Sequence, residues 1–317
     1  MPLFLVILCR RILDRVEFST NSEAGPEQTI EKIEAAIQHM LDKPHGERVK
    51  YIGISCGGPL DSHRGVIMSP PNLPGWDNIP IVSILEKKFG FPVAIQNDAN
   101  ACALAEWKWG AGKGCRNMIF LTFGTGLGAG LILDGKLYSG TNDMAGEAGH
   151  IRLEADGPVG YGKEGSFEGF CSGGGIALQA KEKLRTGNGA VTDFRREFAG
   201  GKPVTARDVC MFASKGDSAA LEILEDSGRH LGAGLSVLID ILNPERIVIG
   251  GIFTHCREYL GPAAEVIIRR EALEAARAVC TVVPAARAVC TVVPASLGKA
   301  IGDYGSLGVA LNALDNC

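Results

Sequence analysis

A chain of 317 residues, 46% apolar and 21% charged, is long enough for two domains with cores of their own and too apolar for a disordered segment. The formal net charge of -4 and the dispersed Lys and Arg residues give no basic field, which argues against nucleic acid as a partner. Ten cysteines without a CxxC pair or a His/Cys cluster suggest neither a disulfide framework nor a zinc knuckle, and point to a reducing, cytoplasmic compartment.

The opening MPLFLVILCRR is apolar from Pro2 to Cys9, but its charges follow the apolar run and the run is far short of the roughly 20 residues that cross a bilayer. It reads as a buried strand, with no membrane partner. A second strand over Ile12 to Phe18 follows. Ile30, Ile33, Ile37 and Leu41 then recur at helical spacing. Val49 to Ser55 is a strand that runs into the turn Gly57-Gly58-Pro59, and Pro70 to Trp76 is a Pro/Gly loop. Val82 to Phe89 reads as a helix, Pro92 to Ile95 as a strand, and Ala99 to Trp109 as a helix stopped by Gly110.

Two strands, Asn117 to Thr122 and Gly128 to Leu133, flank the turn GTGLGAG. A Gly-rich stretch from Gly135 to Gly175 shows little periodicity. Helices then dominate to Leu242, and Arg246 to Ile249 is a strand ending in Gly250-Gly251. Strands alternating with helices imply an α/β fold with more than one sheet. AARAVCTVVP at 275–284 is repeated unchanged at 285–294. One perfect copy is too short for a solenoid, so one copy is expected to supply a strand and the other to bulge out.

Three constellations could carry chemistry. Asp98 follows a strand end and precedes a helix, at the rim where crevices open in α/β sheets, and could act as a general base; an Asp there also caps the helix that follows. The GTGLGAG hairpin offers backbone N–H groups and the Thr125 hydroxyl to an oligophosphate, although glycine is also the default residue of a tight turn. It is neither a dinucleotide fingerprint nor a GxxxxGK[ST] loop. Glu147 and His150 in GEAGH, with Glu168 in SFEGF, form a polar trio suited to vicinal hydroxyls and poor as a metal site; each could equally satisfy loop backbone. Trp76, Trp107 and Trp109 could stack on a sugar face or simply pack.

GISCGGPLD at 53–61, PNLPGW at 71–76, NDANACALAE at 97–106, LTFGTGLGAGLILDGKLYSG at 121–140, GEAGH at 146–150 and LNPERIVIGG at 242–251 together resemble the ROK family of sugar kinases and sugar-responsive repressors, and its glucokinase-like members in particular. The resemblance implies a two-lobed actin-like ATPase fold of the hexokinase type, with hexose and ATP meeting in an interlobe cleft. It divides the chain into a small lobe at 1–115, a large lobe at 116–299 and a C-terminal helix at 300–317 that returns to the small lobe. It makes Asp98 the catalytic base, gives the sugar hydroxyls to Asn97, Glu147, His150 and Glu168, the phosphates to Gly124, Thr125 and Gly126, and the adenosine to Gly250 and Gly251. Mg²⁺ would bridge the phosphates, and a homodimer is favoured.

The sequence departs from that family pattern twice. No DxGGT-type turn, whose backbone holds phosphate and whose Asp is linked to Mg²⁺, precedes Arg10, as though the chain began one strand late. The CxCGxxGC segment of many members is replaced by GPVGYGKEGSFEG, so no structural zinc is expected and His150 is left to the sugar. Three readings follow: an ATP-dependent hexose kinase, a sugar-binding relative that no longer turns over, and a sugar-sensing repressor. The repressor reading is the weakest, because the sequence leaves no room for a helix-turn-helix ahead of its first strand.

Overall fold

The computed structural model describes residues 2–7, 11–18, 25–71, 73–186, 192–284 and 305–313. The chain divides into two compact units, one of 1–108, 139–145 and 290–317, the other of 109–138 and 146–289.

The first unit opens with β1 (Pro2–Ile7) paired antiparallel to β2 (Arg11–Glu17), Pro2 opposite Glu17. A strand therefore stands ahead of Arg10; what the sequence lacks there is the Asp-Gly turn. α1 (Pro26–Leu41) buries Ile33, Ile37 and Met40, the stripe that its 3.6-residue period dictates. β3 (Ile52–Cys56) is followed by the short antiparallel pair β4 (Leu60–Asp61) and β5 (Val66–Ile67). α2 (Ile81–Phe89) ends at Gly90, whose φ of 71° is the left-handed helix stop. β6 (Val93–Asn97) pairs parallel with β3, Ile52 opposite Val93 and Cys56 opposite Asn97, and runs directly into α3 (Asp98–Trp109).

Ile33, Ile37, Ile54, Leu60, Trp76 and Leu85 share the core of this unit, with Trp76 only 2% exposed. Trp76 is thus a packing residue, unavailable to a sugar face. The helix over 305–313 lies so close to β3 and α3 that a side chain at Gly53 would meet the Ser306 carbonyl and one at Gly308 the Leu104 side chain.

The second unit is built on a five-stranded sheet. β7 (Met118–Phe123), β8 (Leu127–Leu133) and β9 (Lys136–Tyr138) form an antiparallel meander. A hairpin of β10 (Val159–Gly160) and β11 (Lys163–Glu164) leads to α4 (Phe167–Cys171), α5 (Gly173–Thr186), α6 (Asp193–Phe198), α7 (Ala206–Ala213) and α8 (Ser218–Leu242). β12 (Arg246–Ile249) joins β7 in parallel, Arg246 opposite Met118 and Ile249 opposite Leu121. α9 (Phe253–Glu271), α10 (Glu274–Val279) and β13 (Thr281–Pro284) complete the order β13-β12-β7-β8-β9. Met118, Ile119, Phe120, Leu121, Ile247, Val248 and Ile249 are almost wholly buried, as expected of central strands covered on both faces.

The first copy of the duplicated decapeptide supplies α10 from Ala275 onward and β13; the second, at 285–294, lies outside the described residues. The cysteine spacing suggested no disulfide framework, yet Cys210 of α7 and Cys256 of α9 are bonded with their Cα atoms 6.0 Å apart. The fold joins two helices distant in sequence, which cysteine spacing alone does not encode.

Candidate active site

Asn97 closes β6 and Asp98 opens α3, so both lie at a strand-to-helix junction. The N–H of Ala99 needs an acceptor, and it is offered two: Asn97 Oδ1 at 2.9 Å and Asp98 Oδ1 at 2.8 Å. Gln96 Oε1 steadies the junction by accepting from the Asn97 N–H at 2.8 Å and from Asn100 Nδ2 at 3.1 Å. The Ala99 N–H thus engages Oδ1 of Asp98 and not Oδ2. Desolvation pushes the Asp98 carboxyl above the ordinary range, against the lowering effect of the Ala99 N–H, yet the residue keeps an exposed surface. A carboxyl both crowded by protein and open to water has a raised affinity for protons, which suits a general base. Its charge reaches Cys56, which desolvation first and Asp98 second push up to about 11.

In the second unit the turn 124–126 connects β7 to β8. Its carbonyls point at the start of α5: Gly173 N–H donates to Gly124 O at 2.7 Å and Gly174 N–H to Thr125 O at 3.1 Å. The Gly124 N–H is closed on Gly126 O at 3.1 Å, while the N–H groups of Thr125 and Gly126 and the Thr125 hydroxyl donate to nothing among the described residues. Gly124 and Thr125 are exposed, and a Cβ built on Gly124 meets no atom within 4 Å. The turn therefore presents free donors on an open side, as an oligophosphate requires.

Gly250 and Gly251 follow β12 beside the same turn. The Gly251 φ is 63° and a Cβ there would stand 2.1 Å from the Phe123 carbonyl, which accepts from the Ile252 N–H at 2.8 Å. Only glycine allows β12 to pass so close to the end of β7.

The polar trio is gathered around Gly149. A Cβ at Gly149 would stand 2.1 Å from the Leu127 carbonyl and 3.2 Å from Cβ of Glu168, so the 3₁₀ turn Ala148–His150 lies against both the start of β8 and α4. Glu168 Oε2 accepts from the Leu127 N–H at 2.9 Å, so this carboxylate already serves the backbone just past the phosphate-type turn. Glu147 and His150 are exposed at either end of the 3₁₀ turn, and the His150 ring meets Tyr161 edge-on with centroids 5.9 Å apart. The β10–β11 hairpin that carries Tyr161 is tied down by Lys163 Nζ donating to His150 O at 2.6 Å and by Gly165 N–H donating to Pro158 O at 3.2 Å.

Sequence reasoning missed the start of α5. Its signal was present in the run Ser172-Gly173-Gly174-Gly175, whose small residues let two helix N–H groups reach the turn and whose Ser172 Oγ accepts from the Gly175 N–H at 2.9 Å.

The sequence profile of the ROK family matches residues 3–310. A glucokinase of Halalkalibacterium halodurans is 36% identical over 76% of this chain and 73% of its own length. A glucokinase of Thermotoga maritima is 33% identical over 81% and 80%. The N-acetylglucosamine repressor of Escherichia coli O157:H7 is 32% identical over 81% of this chain and 63% of its own. Among solved structures, a ROK family glucokinase of Streptomyces griseus in complex with glucose and AMPPNP superposes with a TM-score of 0.74 at 27% identity, over 97% of this chain and 95% of that one. The ROK hexokinase of Thermus thermophilus gives 0.75 at 28%, over 97% and 93%. The α/β actin-like, hexokinase-type fold class is that of these neighbours, and the chain is a member of the ROK family.

Proposed function

We propose that this protein phosphorylates a hexose with ATP, as a glucokinase-like sugar kinase. The observation that carries the reading is the turn 124–126, whose carbonyls are taken up by α5 while the Thr125 and Gly126 N–H groups stay open. Those groups and the Thr125 hydroxyl fit the phosphates, and Gly250-Gly251 fit the adenosine. ATP supplies the transferable phosphoryl group and Mg²⁺ the charge neutralisation. In this reading the phosphates carry the Mg²⁺.

Asp98 Oδ2 takes the proton of the sugar hydroxyl. Asn97, whose Oδ1 is spent on the Ala99 N–H, offers Nδ2 to a neighbouring hydroxyl. Glu147, His150 and Glu168 hold the remaining hydroxyls. Most of the work asked of these residues is positioning. The relatives named glucokinase support this reading at the level of a sugar kinase.

A second reading, in which the protein binds sugar without turning over, is favoured by one observation: Leu8-Cys9-Arg10, between β1 and β2, contains neither Asp nor Gly. A coupled ADP-release assay with MgATP and a hexose panel, run beside Asp98→Asn, decides between them. Sugar-driven turnover that the variant abolishes supports the kinase. No turnover, with sugar still raising the melting temperature, supports the second reading.

A further inference from the structure

The loop between β10 and β11 is two residues long, Tyr161 and Gly162, and both have positive φ, 43° and 75°. Positive φ at both central residues marks a type I′ turn, the hairpin turn that favours Asn-Gly because those residues enter the left-handed region at little cost. Gly162 suits the second place. A tyrosine at the first is a misfit, because its bulky side chain penalises that conformation.

Burial does not offset the penalty, for Tyr161 is 69% exposed. The turn would thus form more easily with another residue, and strain of this kind is kept where the side chain has a task. The ring of Tyr161 meets the His150 imidazole edge-on, with centroids 5.9 Å and planes 86° apart, a T-shaped geometry that aromatic pairs favour. The hairpin gives that ring a firm base: a Cβ at Gly160 would stand 2.5 Å from the Gly169 nitrogen of α4, so the strands lie pressed against the helix that carries Glu168.

The backbone of His150 is held separately. Its N–H donates to Glu147 O at 3.0 Å, and its carbonyl accepts from Lys163 Nζ at 2.6 Å. Those bonds fix the Cα and leave the two side-chain torsions to be set by what the exposed imidazole touches, which is Tyr161.

We propose that Tyr161 is a positioning residue for the sugar site: its ring, held at the tip of the β10–β11 hairpin, sets the orientation in which His150 meets a sugar hydroxyl. The proposal rests on the sugar-site reading given above. All of its parts, from Gly160 to His150, lie within the second unit.

The misfit at the turn makes the test selective. Tyr161→Asn removes the ring and supplies the residue that the turn prefers, so its melting temperature should be no lower than that of the wild type. Its hexose affinity should nevertheless fall roughly threefold to tenfold, the cost of ordering one freed side chain on binding, while affinity for a non-hydrolysable ATP analogue stays within about twofold. Tyr161→Phe keeps the ring and should restore hexose affinity. Titration calorimetry with glucose, mannose, fructose and N-acetylglucosamine, and separately with the analogue, measures the split. In a His150→Ala background Tyr161→Asn should cause no further loss, because the ring acts through the imidazole.

The carbon-bound imidazole proton shifts of His150, assigned by their loss in His150→Ala, read the contact with no ligand present and should change in Tyr161→Asn. If no hexose binds the wild type, the sugar-site reading fails and the role of Tyr161 fails with it, even where the shifts show the ring contact. If a hexose binds the wild type, three results overturn the inference and leave that reading standing. They are equal hexose binding by Tyr161→Asn, a Tyr161→Asn protein that melts lower and loses both ligands together, and an undiminished loss in the His150→Ala background.

Discussion

Gly251 and Gly124 flank one turn and should respond to the same substitution in opposite ways. At Gly251 an added Cβ meets the left-handed penalty at φ 63°, worth about 1–2 kcal/mol. It also lands 2.1 Å from the Phe123 carbonyl, and relief of that contact stretches the Ile252 N–H bond to the same oxygen, a loss of about 1 kcal/mol. Gly251→Ala is therefore expected to destabilise the second unit by about 2–3 kcal/mol, a fall in its Tm of about 5–10 °C. At Gly124 the Cβ enters open space, so stability should stay within about 0.5 kcal/mol. The new methyl instead occupies the open side of the turn, and affinity for an ATP analogue should fall tenfold or more. Scanning calorimetry and titration calorimetry on the two variants test both halves. A Gly251→Ala protein that melts with the wild type would refute the close approach of β12 to β7, and unchanged analogue binding in Gly124→Ala would refute the phosphate role of the turn.

Asp98→Asn should abolish turnover and, at pH 7, raise the melting temperature. Desolvation raises the Asp98 carboxyl in the folded state, so its ionisation opposes folding; that penalty is absent below the unfolded-state value and complete above the folded one. The advantage of Asn should thus grow as pH rises through that interval, as melting curves from pH 3 to 8 would show. Glu168→Gln keeps an acceptor for the Leu127 N–H and should hold its Tm while losing hexose affinity; Glu168→Ala should lose both, by about 1.5–3 kcal/mol in stability. Peptide mapping without reductant should recover Cys210 linked to Cys256. The chain-entropy argument for their separation of 46 residues sets an upper bound of about 4 kcal/mol on the stability lost when that bond is reduced.

What was legible in the sequence is what local physics decides. The Ile30, Ile33, Ile37 and Leu41 period gave α1, Gly110 marked the end of α3, and the strand Arg246–Ile249 was read to the residue. The places of Asn97 and Asp98 in the fold were legible because a strand end, a polar pair and a helix start adjoin in the chain, and that of the 124–126 turn because glycines separate two apolar runs. Gly135 to Gly175 was opaque because its order comes from distant partners: Leu127 N–H on Glu168, Ser62 on Asp143, and the Leu127 carbonyl against Gly149. The bond between Cys210 and Cys256 was hidden for the same reason.

The strand-to-helix junction shows how a structural duty and a chemical one can be divided between neighbours. A helix start needs side-chain acceptors for its first N–H groups, and an Asp alone at that place would be drawn into the duty, with its proton affinity lowered by the bond. Here Asn97 Oδ1 shares the Ala99 N–H with Asp98 Oδ1, and Gln96 holds Asn97 in place through its backbone N–H. The capping bond from Ala99 therefore engages one carboxylate oxygen and is shared, and desolvation outweighs hydrogen bonding in setting the Asp98 proton affinity. The order Asn-Asp, with the amide first, is what keeps the carboxyl available to a ligand.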